Sequence, residues 1–189
     1  MKGRHDASHP IPGLSCTVGD FWSWAYSNFN ENTVRPLFAE YLVGKLLGVE
    51  SEGRTEWDAY DLLYGTTKVE VKSSAYVQSW QQPRPSTPRF DIAPKRILDA
   101  YTNRVLGPVK RQADVYVFCL YPERERHLAD PLDVHAWQFW VVPSRVLDEV
   151  LGAQKSLGLG TLSRFASPVG AAGLRDAVGA VTAPSTLER

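Results

Sequence analysis

Residues 61–80 read DLLYGTTKVEVKSSAYVQSW. At their centre, Val69-Glu70-Val71-Lys72 sets an acid and a base into a β-branched run of the kind that builds a buried strand. Side chains alternate across a strand, so Val69 and Val71 share one face and Glu70 and Lys72 the other. The valine face belongs against a core. An isolated charge is expensive to bury, so the opposite face must be ion-paired, solvated in a cleft or bound to a metal. Just upstream, residues 59–63 and 68–72 read as two short strands joined around Tyr64-Gly65-Thr66-Thr67, a hairpin turn. Such a hairpin folds Asp61 back beside Glu70. Converging carboxylates repel, which raises one pKa unless a divalent cation sits between them. All-oxygen donors suit Mg2+ or Mn2+. Asp58 competes for the same role, and Asp61 is preferred because it makes the shorter, better-registered hairpin.

An aspartate, a spacer and Glu-x-Lys on an apolar strand, here Asp61…Glu70-Val71-Lys72, resembles the motif of the PD-(D/E)XK nuclease superfamily. The resemblance is strongest over residues 35–80. It implies an α/β, three-layer restriction-endonuclease-like fold, with a central mixed β-sheet flanked by helices. The implied activity is that of a metal-dependent nuclease, an endonuclease hydrolysing phosphodiester bonds of DNA in restriction, repair or defence. The alternative is a non-catalytic nucleic-acid- or protein-binding module of the same fold.

In that family the Asp and Glu bind Mg2+ or Mn2+ with help from the backbone carbonyl of the middle residue, here Val71. The Lys orients or activates the attacking water and offsets charge at the phosphate. The family's first core helix often supplies a further acid, and "PLFAEYLVGKLL" places Glu40 there. On a helical wheel its neighbours are Leu37, Val43, Gly44 and Leu47, an odd seat for a solvated glutamate. In some relatives a glutamine past the Lys joins the site, which brings in Gln78; a surface amide is the competing reading. Tyr60 stands where the motif often has proline.

Ser73 and Ser74 follow the motif with donors for a substrate phosphate. A basic segment comes next: Arg84, Arg89, Lys95, Arg96, Arg104, Lys110 and Arg111, against Asp91 and Asp99 only. It is suited to tracking a phosphate backbone. Trp80 and Phe90 are placed to stack on bases, although packing in the core is the expected fate of both, as it is of the six tryptophans in general. Basic and acidic residues number 21 each, so a nucleic-acid surface must come from local segregation of charge. No Gly-rich phosphate loop argues for a nucleotide cofactor. A homodimer or a protein partner supplying specificity is expected, because one small domain has little room for a recognition module.

Residues 1–15 read as a flexible tail, 16–180 as a single nuclease-like domain and 181–189 as a frayed C-terminus. The first 16 residues lack the apolar run of a signal peptide, no segment approaches the ~20 apolar residues that span a bilayer, and two distant cysteines suit a reducing cytoplasm. Asp20 and either Asn32 or Thr33 are candidate helix caps, with Pro36 in the first turn of the second helix and Gly48 at its end. Residues 94–105 read as helical. "ADVYVFCLY" and "AWQFWVVP" read as buried strands, and Ser144 as the cap of the helix "SRVLDEVLG". Beyond residue 152 the sequence is rich in Gly, Ala and Ser and only weakly periodic.

Overall fold

In a computed structural model of the chain, residues 4–49, 59–99 and 104–183 are described. The stretch Val115–Tyr121 carries no charge, and all seven of its residues are buried. A strand that is apolar on both faces needs cover on both, and it is one of the two inner members of a four-stranded mixed sheet. Numbered along the chain, this is β6. It pairs in parallel with β2 (Thr67–Ala75) and antiparallel with β7 (Gln138–Pro143). The short β1 (Leu62–Tyr64) completes the sheet, antiparallel to β2, in the order β1-β2-β6-β7.

One face of the sheet presents Val69, Val71, Ala75, Val117 and Cys119 to α2 (Val34–Leu47) and α5 (Leu174–Thr182). The other presents Tyr116, Phe118, Leu120, Trp140 and Val142. It is covered by β3 (Arg89–Asp91), α3 (Ser144–Leu151), β8 (Ser156–Gly158) and α4 (Leu159–Leu162). β3 and β8 form a two-stranded antiparallel pair of their own. The architecture is therefore α/β: a mixed sheet with helices on both faces. Among the described residues no helix is long and apolar enough to cross a membrane.

Several sequence expectations are corrected. Residues 94–99 and 104–105 are not helical: β4 (Lys95–Asp99) and β5 (Arg104–Lys110) pair antiparallel. The segment's Ile97, Val105 and Val109 are β-branched, and Gly107 adopts φ +69°, which a helix does not allow. Thr17, not Asp20, is the N-cap of α1 (Val18–Tyr26). Asp20 is the reciprocal acid of a capping box, accepting at 2.7 Å from the Thr17 N–H. Thr33 takes the N-cap position of α2, and Gly48 ends that helix at φ +70°.

Ser144 does not cap α3. It is the first helical residue, and its hydroxyl donates instead to the Ala113 carbonyl at 2.5 Å, tying α3 to the start of β6. The weakly periodic region after residue 152 holds two helices and a strand, with Leu162, Leu174 and Val178 fully buried. The tryptophans divide. Trp137 and Trp140 are core, while Trp22, Trp24 and Trp80 are exposed, and α1 buries none of its residues.

Candidate functional site

The hairpin sets the first part of the site. Leu62 faces Val69, Leu63 faces Lys68 and Tyr64 faces Thr67. Carried one step further, this register puts Asp61 opposite Glu70. The Asp61 N–H donates to the Val69 carbonyl at 3.0 Å, and its carboxylate accepts from the Val71 N–H at 2.7 Å. Glu70 and Lys72 project from the face of β2 opposite Val69 and Val71. The Lys72 ammonium donates to Glu70 Oε1 at 2.5 Å. The structure thus brings Asp61, Glu70 and Lys72 close together. Asp58 lies outside the described residues.

Burial and the Asp61 carboxylate together hold the Glu70 pKa above its ordinary value, even though Lys72 works the other way. For Lys72, burial alone would favour loss of the proton. Glu70, at hydrogen-bond distance, and Asp61 outweigh that effect and hold its pKa up. The same ion pair thus outweighs burial at Lys72 but not at Glu70, where burial acts first and the Asp61 charge adds to it. Tyr116 lies across the ladder from Glu70, and burial followed by the Glu70 charge pushes its pKa well above the ordinary phenol value. The phenol stays neutral.

The donor chemistry fits a hard divalent cation: two opposed carboxylates with the Val71 carbonyl between them in sequence. A cation would relieve the repulsion that raises Glu70. Among the described residues no three His, Cys, Asp or Glu side chains are grouped to hold a metal, so a cation here would have at most these two carboxylates as acidic donors. Glu40 is half-buried on α2, between Ala39 and Tyr41. α2 covers the valine face of β2, whereas Glu70 and Lys72 belong to the other face. The charges acting most strongly on Glu70 are Asp61, Lys72 and Lys95.

The second part of the site is a cleft of about 380 Å³ where the first turn of α2 meets the end of β2. β1 pairs only with Thr67–Val69, so the outer edge of β2 beyond Glu70 has no partner strand in the sheet as described. Ser73, Ser74 and Gln78 line the cleft with Arg35, Trp80 and Arg89. Gln78 is not a surface amide. It is buried, its side-chain N–H donates to the Ala75 carbonyl at 3.0 Å, and its Oε1 accepts from Arg35 at 3.2 Å. Arg126 clamps the loop above, donating to the carbonyls of Gln78, Ser79 and Trp80.

Of the basic segment, Arg89 reaches this cleft, while Arg84 borders a neighbouring one of about 250 Å³ with Arg124 and Arg126. Lys95 is exposed and bonds Asp91 at 3.0 Å, and Arg96 is exposed beside it on β4. Arg111 does not belong to a solvated basic face. It is buried, pairs with Asp148, and donates to the carbonyls of Ile92, Gly152 and Gln154. Phe90 is core against Phe118, with ring centroids 5.1 Å apart, and only Trp80 remains open for stacking.

Arg35 escaped the sequence reading although a signal was present. Arg35, Ala39 and Leu42 follow the i, i+4, i+7 spacing of the buried stripe of α2, so the arginine occupies a core-facing position. In comparisons with known proteins, no protein-family model and no curated protein matches the chain.

Proposed function

We propose that this chain is a Mg2+- or Mn2+-dependent nuclease of restriction-endonuclease-like fold that hydrolyses phosphodiester bonds of DNA. The observation carrying the reading is the hairpin register that sets Asp61 across from Glu70, with Lys72 bonded to Glu70 on the same face. Asp61 and Glu70, with the Val71 carbonyl, would hold the cation. Bound there, it would supply Lewis-acid polarisation of the phosphate and a nucleophile at neutral pH. Lys72, firmly protonated, offsets negative charge gathering on the phosphate oxygens. The adjoining cleft receives the flanking strand, with Ser74 and Arg89 at its wall. Glu40 enters only as a residue acting through α2, because that helix covers the opposite face of β2.

One observation favours the non-catalytic alternative. The short Lys72–Glu70 contact occupies an oxygen that a metal would need. The deciding assay incubates the protein with plasmid and linear DNA in Mg2+, Mn2+ or EDTA, alongside Asp61→Ala and Lys72→Ala. Cleavage by wild type alone, abolished by EDTA, supports the nuclease. Binding without cleavage in any metal supports the alternative.

A further inference from the structure

We propose that the cleft around Arg35 is a subsite for a phosphate group of the nucleic-acid strand, separate from the Asp61–Glu70–Lys72 centre. Naming a nucleic acid as the source rests on the nuclease reading; the affinity for phosphate does not.

Arg35 is only 4% exposed, and the acceptors it bonds are all neutral: the Asn30 carbonyl at 3.0 Å, Gln78 Oε1 at 3.2 Å and Asn32 Oδ1. Its Nε is buried without a hydrogen-bond partner, and among the described residues it has no carboxylate partner. An arginine stays charged, and a buried charge without a counter-charge is unfavourable unless something supplies one. The Ser73 hydroxyl, also lining the cleft, is likewise buried and unpartnered. Two residues that each carry a buried, unpartnered donor therefore line one cavity. No acid lines that cavity, while a second arginine, Arg89, and the hydroxyls of Ser86 and Thr87 do.

The seat is also built in advance. Gln78 holds Arg35, and the Gln78 N–H donates to Gln82 Oε1 at 2.7 Å. Gln82 in turn donates to Ser86 Oγ at 2.9 Å. A phosphate suits such a cavity because it accepts several charge-assisted bonds at once and pairs with arginine in fork geometry. Ser74 follows Lys72 by two residues, about 7 Å along a strand, a distance nucleic acid covers in one or two nucleotides. The exposed indole of Trp80 at the cleft wall offers a stacking face for the adjacent base.

The test uses the full chain in EDTA, so that cleavage does not intervene. Fluorescence anisotropy follows binding of a 12-nucleotide single strand ending in either a 5′-phosphate or a 5′-hydroxyl. Ser73→Ala removes an unpartnered hydroxyl and Arg89→Ala an exposed side chain, so both variants should fold, as thermal melting would verify. Each should weaken binding by about tenfold, the effect of one lost charge-assisted bond. A loss confined to the 5′-phosphate strand assigns the subsite to chain ends; an equal loss on both strands assigns it to internal phosphodiesters. Folded variants that bind both strands as tightly as wild type would overturn the proposal. Metal-dependent cleavage can fail in a separate assay while these affinities hold, which would remove the nuclease reading and leave the phosphate site standing.

Discussion

At the scale of single residues, the site depends on one carboxylate held in a state it resists. The folded pKa of Glu70 is raised, chiefly by burial and then by Asp61. A group raised in this way contributes stability below its unfolded value, near 4.5, and that contribution is lost as pH climbs through the folded value. The metal-free protein should therefore soften as pH rises through the raised Glu70 value. Mg2+ or Mn2+ should restore its melting temperature in that range, and Glu70→Gln should abolish the metal response. On the proposed nuclease reading, proton and cation would compete for the same oxygens, so apparent metal affinity should fall as pH drops through the raised value. A melting temperature indifferent to metal at every pH from 5 to 9 would argue that no cation binds here. Lys72 has a different role. Its raised pKa keeps it charged well beyond neutrality, so Lys72→Ala should lower the cleavage rate by roughly 10²–10³-fold with DNA affinity little changed. A rate within threefold of wild type in single-turnover assays would remove Lys72 from the reaction.

At the scale of elements, legibility followed periodicity. The alternation in residues 67–72 and the uninterrupted apolar run of β6 identify their strands directly, and the glycine turn identifies the hairpin, although its first strand runs Leu62–Tyr64 rather than 59–63. Where the sequence failed, a second partner decided the outcome. β4 and β5 acquire strand character from each other, and neither shows clean alternation alone. α5 is rich in Gly and Ala, a composition that resembles a loop, yet Leu174 and Val178 stand four apart and insert together against α2 and the sheet. Leu174→Ala should therefore cost about 2–5 kcal/mol of folding free energy, read from urea denaturation. A loss below 0.5 kcal/mol would mean that α5 is not part of the core. Arg35 illustrates the opposite failure. The apolar stripe of α2 was plain, but a charge on that stripe acquires meaning only when the cleft above it is seen.

At the scale of the whole molecule, 21 bases and 21 acids leave no net charge, so any attraction for DNA arises from where the charges stand. The described structure sorts the candidates. Arg111 is consumed internally by Asp148 and three carbonyls, and Lys95 is engaged by Asp91. What remains among the described side chains of the basic segment is Arg84 beside Arg124 and Arg126, Arg89 in the cleft, Arg96 on β4 and Lys110 on β5. Each phosphate contact releases condensed counterions, so log affinity should fall linearly with log salt, by about 0.7 per contact for a single strand and 0.9 for a duplex. With three to five such contacts the slope should lie between about −2 and −4.5, and Arg89→Ala or Arg96→Ala should each flatten it by about one. Arg111→Met serves as the control of opposite character. It should lower the melting temperature, because it strips donors from three carbonyls, while leaving the salt slope of the folded protein as it was. A wild-type slope near zero would show that these bases face solvent only, and a slope changed by Arg111→Met but not by Arg89→Ala would move the phosphate path away from the cleft.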